Sequence, residues 1–282
     1  MTDTLEHPCA DAPLNGTLSL RALALDLLQI GSTQQKASAV RATLPTWQRI
    51  HSKHALVEPP QLPGRPVLPQ LVHPSALKMR SPGTLEGRAS LIHALTHIEG
   101  NAINLALDII WRFDGMPDAF YLDWWQVAVE EALHFQLLDS HLQALGYTYG
   151  DFPAHDGLWD MAAKTGGDLL ARLALVPRTL EARGLDVTPS VRNKLVSVGD
   201  IQGANILDII LRDEIGHVAI GNRWYRHMCQ QRGLNTIAAY AELARQYSAP
   251  PLKGPFNLTA RRAAGFDETE LQAMCGTPVL TA

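Results

Sequence analysis

Two copies of one short motif carry the residues of this sequence that could do chemistry. Each copy is a glutamate followed three positions later by a histidine: Glu131 with His134, and Glu214 with His217. Residues three positions apart share one face of an α-helix, so the carboxylate and the imidazole of each copy can reach the same metal ion. Each motif therefore predicts a pair of metal ligands on one helix.

A lone glutamate precedes each motif at nearly the same distance. Glu99 precedes Glu131 by about as many residues as Glu181 precedes Glu214, so the chain reads as two similar halves. A glutamate from each of two helices, with Glu-x-x-His from two others, is the ligand set of di-iron and di-manganese carboxylate bundles. Four carboxylates and two imidazoles suit iron or manganese and leave positions for O₂ or a substrate. The predicted ligands of a two-metal site are Glu99, Glu131, His134, Glu181, Glu214 and His217.

Acidic residues also stand immediately before the motif glutamates, at Glu130 and Asp213. Metal-bound imidazoles usually donate their second ring N–H to a carboxylate. We therefore expect these two acids to orient the histidines across the helix pair, with a solvent-facing position as the alternative. His93 and His97 have chelating spacing, but we expect a hydrogen-bonded or exposed pair there. We expect His141 to be a core residue or a support for the site.

The spacing of apolar residues predicts the helices that must position these side chains. The predicted helices are Leu85–Phe113, Pro117–Leu145, Asp168–Arg183, Gly199–Arg232 and Leu234–Tyr247. Pro177 should kink the third helix about one turn before Glu181, and Gly184 should end it. The first four helices predict an all-α, antiparallel four-helix bundle.

The segments outside this bundle are predicted to pack on it. Leu18–Ile30 has the pattern of an amphipathic surface helix, and Pro45–Gly83 is too rich in proline for a long helix and should wrap around the core. The tail should fold back on the core with a short helix from Glu268. The predicted division of the chain is an N-terminal extension over 1–84, the metal-binding bundle over 85–247 and the C-terminal tail over 248–282.

Composition excludes several other classes of protein. The 282 residues are 46% hydrophobic with a formal net charge of −4, which gives a sizeable core but no basic footprint for nucleic acid. Cys9, Cys229 and Cys275 lie far apart, so we expect unpaired reduced thiols rather than a zinc ribbon or a redox dithiol. The sequence shows neither a membrane-spanning run nor a secretory pattern, and we expect a cytoplasmic protein.

Five stretches of the sequence resemble the ferritin-like superfamily, and in particular an uncharacterised bacterial family classed as a domain of unknown function. They are His97–Asn101, Glu130–Phe135, Leu180–Asp186, Arg212–His217 and Gly254–Asn257. The family looks similar to the di-iron hydroxylase that acts on a modified adenosine in tRNA, and more distantly to rubrerythrin and bacterial multicomponent monooxygenases.

The resemblance implies a ferritin-like fold and a division of the ligands between two metals. One metal would bind Glu99, Glu131 and His134, and the other would bind the remaining three predicted ligands. Glu131 and Glu214 would bridge the two ions. Iron is the first expectation for both ions, and Mn/Fe or Mn pairs are the alternatives.

Three functions compete on this evidence. The leading hypothesis is an O₂-dependent oxidoreductase, such as a hydroxylase, that oxidises an unknown small molecule with electrons from a separate donor protein. The second is a ferroxidase or a peroxide-detoxifying protein, and the third is a non-catalytic metal-binding scaffold. A tRNA substrate is left open by the resemblance but is disfavoured by the net charge of −4. No membrane partner is expected, and a homodimer is compatible with the sequence.

Overall fold

A computed structural model of the protein describes residues 19–43, 47–51 and 54–275. These residues are all-helical and form no β-strand, which confirms the predicted class. The first residues of the chain, with Cys9, lie outside the described residues, and so does Pro45 in the proline-rich segment. Cys229 and Cys275 are free thiols, as predicted. Each helix of the described ranges is too short or too polar to cross a lipid bilayer.

The helices are numbered in chain order. They are α1 (Leu20–Leu28), α2 (Thr33–Ala42), α3 (Leu85–Arg112), α4 (Asp118–Ala144), α5 (Gly157–Lys164), α6 (Leu169–Leu175), α7 (Ala182–Ser197), α8 (Ile201–Gln231), α9 (Thr236–Gln246), α10 (Leu258–Ala263) and α11 (Glu268–Met274). A π-helical segment, Val176–Glu181, joins α6 to α7, and a 3₁₀ turn spans Pro74–Ala76.

The long helices pack in pairs that bring the two motifs together. α3 packs on α4, α7 packs on α8, and α4 and α8 contact each other. The hydroxyl of Thr84 accepts the N–H of Gly87 at 3.0 Å and caps α3. Asp200 caps α8 by accepting the N–H of Gly203 at 2.9 Å. The predicted bounds of the helices now numbered α3, α4, α8 and α9 agree with the structure to within two residues at each end.

The predicted end of the third helix at Gly184 is wrong. The helix continues as α7 to Ser197, and the chain turns at Gly199, where φ is +80°. Gly184 and Pro189 both favour termination, but Leu185 and Leu195 are fully buried and give the continuing helix a face in the core. The predicted disturbance at Pro177 is confirmed and takes the form of the π-helical segment.

The helix predicted near the N-terminus is present as α1 and packs on the core, but it is more deeply buried than a surface helix. α1 packs on α3, and Leu20, Ala24 and Leu28 have no exposed surface. Arg21, whose charge suggested solvent, is buried and donates from Nη2 to the carbonyl of Trp111 at 2.6 Å. A buried arginine is compatible with a core helix here because both terminal nitrogens have partners, Nη2 at the Trp111 carbonyl and Nη1 at Asp114 Oδ1, 2.9 Å away.

The proline-rich segment forms no α-helix in its described part, as predicted, and it lies against α1, α2 and α3. The N–H of Gly64 donates to the carbonyl of Leu28 at 2.9 Å. A Cβ atom on Gly64 would lie 2.1 Å from the carbonyl oxygen of Gln29, so this approach requires glycine. Lys36 on α2 donates from Nζ to the Gly64 carbonyl at 3.0 Å and to Asn104 Oδ1 on α3 at 2.5 Å.

The C-terminal tail packs on α7 and α8. The predicted helix at Glu268 is confirmed as α11, whereas α10 was not predicted. Arg261 on α10 is buried and donates from Nη2 to Asp186 on α7 at 2.7 Å. Phe266 and Leu271 complete a small apolar cluster with residues of α7 and α8. The tail therefore covers the helix that follows Glu181.

Lys36 should make the stability of the protein depend on pH. Burial and the nearby charge of Arg65 lower the pKa of Lys36 to about 7. Because the unfolded chain then binds more protons, the Lys36 contribution to the unfolding free energy rises from about pH 7 towards the unfolded pKa near 10.4, by at most about 1.4 kcal/mol per pH unit. We expect the stability of Lys36→Met relative to the wild type to fall over this window in urea titrations.

The exposed lysine Lys194 on α7 provides the control. The unfolding free energy of Lys194→Met should differ from that of the wild type by the same amount at every pH in this window. If the difference in unfolding free energy between Lys36→Met and the wild type were also independent of pH, Lys36 would have an ordinary pKa in the folded protein.

Candidate metal centre

The two motifs meet in the interior between α4 and α8. Glu131 and His134 lie on α4, and Glu214 and His217 lie on α8. All four residues are buried, and the ring centroids of the two histidines are 5.8 Å apart. The i and i+3 spacing on each helix turns both imidazoles and both carboxylates towards one volume.

Glu131 lies between the two histidines. Its Oε2 atom is 3.3 Å from Nδ1 of His134, and its Oε1 atom is 2.9 Å from Nδ1 of His217. One carboxylate therefore reaches imidazoles on two different helices with its two oxygens.

Glu99 joins this group from α3. Its Oε2 atom is 3.5 Å from Nδ1 of His134. Glu99, Glu131, His134 and Glu214 each offer one ligand atom, and these atoms all lie within 4.8 Å of one another. All four residues are buried, and the group could hold a metal ion.

Glu181 is the last residue of the π-helical segment. Its Oε2 atom is buried and makes no hydrogen bond within the described part of the chain. Burial, followed by the charges of Glu214 and Glu131, raises the pKa of Glu181 to about 8. Glu181 and His217 lie outside the tight group of four, although Nδ1 of His217 is 3.7 Å from Glu214.

The outer nitrogen of each imidazole faces an acid on the opposite helix. Nε2 of His134 on α4 lies 3.1 Å from Oδ2 of Asp213 on α8. Nε2 of His217 on α8 lies 2.7 Å from Oε2 of Glu130 on α4. These crossed contacts orient both rings so that Nδ1 points into the cluster.

The electrostatics of the cluster show a shortage of positive charge. Burial and the neighbouring Glu131 carboxylate raise the pKa of Glu99 well above its ordinary value. Burial and Glu131 likewise raise the pKa of Glu214. Burial opposes the charged form of His134, but the neighbouring carboxylates of Glu131 and Glu99 raise its pKa to about 11. The carboxylates thus hold protons on themselves and on the imidazoles, which are the positions that a metal cation would take over.

Several buried polar atoms of the cluster have no hydrogen-bond partner within the described ranges. They are Oε2 of Glu99, Oε2 of Glu181, Oε2 of Glu214 and Nδ1 of His217. A buried polar atom without a partner costs about 1–3 kcal/mol, and coordination to a cation would remove that cost. Oxygen-rich sites with imidazole nitrogens suit iron and manganese. The residues therefore fit metal ions of this class.

A contact between Pro177 and Gly221 determines where the π-helical segment lies. Gly221 on α8 is one turn beyond His217, and a Cβ atom there would be 2.7 Å from Cβ of Pro177 and 2.9 Å from its Cγ. The missing side chain lets the proline ring, and with it the segment that carries Glu181, approach α8. The sequence contained both residues but no signal that they touch.

His93, His97 and His141 make hydrogen bonds away from the cluster. Nε2 of His93 accepts the N–H of Gly150 at 3.0 Å, and Nδ1 of His97 lies 2.8 Å from the hydroxyl of Tyr149. Burial lowers the pKa of both histidines to about 4, so both are neutral. This agrees with the predicted hydrogen-bonded pair. His141 is buried and contacts Asp200, the cap of α8.

Comparisons with known proteins place the chain in a family. The model of a family described as "Protein of unknown function (DUF455)" matches residues 29–272. A protein of Haemophilus influenzae described as "Uncharacterized protein" is 51% identical over 213 residues, which cover 73% of this chain and 74% of that protein. No solved structure matches the chain. The relationship to ferritin-like proteins therefore stays a prediction from the motifs.

Gly221→Ala should destabilise the metal-free protein by about 1–3 kcal/mol, because the added methyl group overlaps the rigid ring of Pro177. Gly216→Ala is the matched control on the same helix, since a Cβ atom there meets nothing within 4 Å. The control should gain up to about 1 kcal/mol from helix propensity. Urea unfolding measures both changes, and equal effects of the two substitutions would contradict the packing argument.

Proposed function

This chain belongs to the DUF455 family, and from its buried cluster we propose that it is a dinuclear metal carboxylate protein with a ferritin-like four-helix bundle. Its function would be the O₂-dependent oxidation of a small organic molecule. Iron is the preferred metal, with Mn/Fe and Mn pairs as alternatives, because the donor atoms are carboxylate oxygens and imidazole nitrogens.

The observation that carries the proposal is the position of Glu131. Its two oxygens lie 3.3 Å and 2.9 Å from the inward nitrogens of His134 and His217, which belong to different helices. A carboxylate that faces two imidazoles with separate oxygens is suited to join two metal ions. Each histidine also has a further carboxylate beside it, Glu99 at 3.5 Å from Nδ1 of His134 and Glu214 at 3.7 Å from Nδ1 of His217, so the donor groups form two sets on either side of Glu131.

The remaining ligands divide between the two ions in the proposal. Glu99 and His134 would hold the first ion together with Glu131. Glu181, Glu214 and His217 would hold the second, with Glu214 as a further bridge. The unpartnered Oε2 atoms of Glu99, Glu181 and Glu214 support this division, because each is a free donor atom beside the cluster.

The protein contributes burial, orientation and proton placement to this chemistry. A bound pair of iron or manganese ions supplies the activation of O₂. Glu99, Glu131 and His134 are at most 4% exposed, so the chain keeps bulk water away from the site. Asp213 and Glu130 hold the N–H of each imidazole at Nε2 and leave Nδ1 free as a ligand. The sequence has no Cys-x-x-Cys pair, so electrons would come from another protein.

We expect protein purified from its native host to contain about two iron or manganese ions per chain. After anaerobic reduction, addition of O₂ should change its absorption spectrum, because the oxidised metals absorb visible light. Metal analysis and spectroscopy on the same sample test both points. Zinc alone, or no metal and no optical change, would favour the scaffold hypothesis. Oxidation of added Fe²⁺ or consumption of peroxide without any organic substrate would favour the ferroxidase or peroxidase hypothesis.

Substitution of the central carboxylate locates the metals in this cluster. Glu131→Ala should lose both ions, because the residue faces both histidines. Glu242→Ala, which removes an exposed glutamate on α9, should keep them. Full metal content in Glu131→Ala would place the metals elsewhere.

Glu130→Ala and Asp213→Ala should each weaken metal binding by about 10–100-fold, the usual effect of removing an acid that orients a ligating histidine. Competition with a chelator measures the affinity. Asp208→Ala is the control, because Asp208 is an exposed acid on α8 that pairs with Arg192 at the surface. Affinities equal to that of the control would show that the two acids do not support the site.

A further inference from the structure

A second cavity, outside the metal cluster, opens between α9, α11 and the loop after α9. Its volume is about 320 Å³. The walls are mostly apolar and include Tyr240, Leu252, Phe266 and Met274. Cavities of this size and lining are typical of small-molecule sites when they also contain a few fixed polar groups.

The fixed polar group of this cavity is the guanidinium of Arg178. Arg178 belongs to the π-helical segment, lines the cavity and is only 5% exposed. It donates from Nη1 to Asn222 Oδ1 and from Nη2 to Glu270 Oε1, both at 2.6 Å. These two bonds use two of the five N–H groups of an arginine, so three are left for other acceptors.

Aromatic rings hold the guanidinium in place. Its central carbon lies 4.8 Å from the ring centroid of Tyr225, 4.7 Å from that of Phe266 and 5.9 Å from that of Tyr240. Tyr240 and Phe266 also line the cavity. The cation is therefore ordered before any ligand arrives, which lowers the entropic cost of binding one.

Glu270 is the acidic residue beside Arg178 in this cavity. Glu270 accepts from Arg178 with one oxygen and from Arg226 with the other, the latter at 2.6 Å. Its Oε2 atom also accepts the N–H of Asp267 in the capping box of α11. Glu270, which also lines the cavity, is thus bound by two arginines and a backbone N–H, and it leaves the other N–H groups of Arg178 without an acceptor.

We infer that this cavity binds a small carboxylic acid with an apolar body. The remaining N–H groups of Arg178 select a hydrogen-bond acceptor, and the planar fork of a guanidinium matches a carboxylate. The apolar walls select a hydrocarbon chain or ring over a polar anion such as inorganic phosphate. The inference does not depend on a metal, because no predicted ligand lines this cavity.

Calorimetric titration of the full-length protein with decanoate tests the inference. Decanol, which has the same chain length and no charge, is the matched ligand control. We expect decanoate to bind at one site per chain. Decanol should bind at least roughly tenfold more weakly, since a charge-assisted hydrogen bond contributes about 1.5–3 kcal/mol. No heat of binding with decanoate, or equal binding of the two ligands, would overturn the inference.

Two variants test whether decanoate binds in this cavity. Arg178→Met should reduce the affinity for decanoate to that for decanol. Because loss of Arg178 could also disturb folding, Ala241→Phe provides a second test that narrows the cavity from its exposed rim on α9. Ala238→Phe is its control, since Ala238 is exposed on α9 and does not line the cavity. Unchanged decanoate binding in Ala241→Phe would rule out this cavity as the site.

Discussion

The structure depends on four glutamates whose carboxylates lie near one another in the buried interior. Glu99, Glu131, Glu181 and Glu214 come from α3, α4, the π-helical segment and α8, and their mutual repulsion in a buried site is large. Protons can relieve this repulsion, as the raised pKa values of three of these residues indicate. A divalent cation relieves it more completely, because it supplies charge and satisfies the unpartnered oxygens together. Apolar residues pack the helices that surround the cluster, and the relative positions of these helices bring the carboxylates together.

The crossed contacts between the histidines and the outer acids make the two halves of the chain interdependent. His134 in the first half relies on Asp213 in the second, and His217 in the second relies on Glu130 in the first. A single half would contain a carboxylate and an imidazole without the group that fixes the ring. The repeat in the sequence is therefore not two independent sites placed side by side. In the proposed site, each α-helix of the central pair would supply ligands and would also orient those of its partner.

The sequence was sufficient to predict the parts of this structure that follow from periodicity. The Glu-x-x-His spacing predicted which side chains share a face, and proline and glycine predicted the bounds of α3, α4 and α8. Long-range contacts were beyond such reasoning. The buried position of α1 depends on the carbonyl of Trp111, which accepts from Arg21. Continuation of α7 past Gly184 depends on a core face that forms only when α8 and the tail are in place. Local signals for termination were outweighed there by burial.

The π-helical segment connects the two sites that we propose. In a regular α-helix, residues three positions apart share a face, so Arg178 and Glu181 would point in similar directions. A π-helical stretch has more residues per turn and separates them. Arg178 thereby lines the apolar cavity, while Glu181 lies close enough to Glu214 and Glu131 for their charges to raise its pKa. Gly221 makes this geometry possible by admitting the ring of Pro177. If the segment relaxed to a regular α-helix, the two side chains would compete for one side of the helix, and one of them would leave its site.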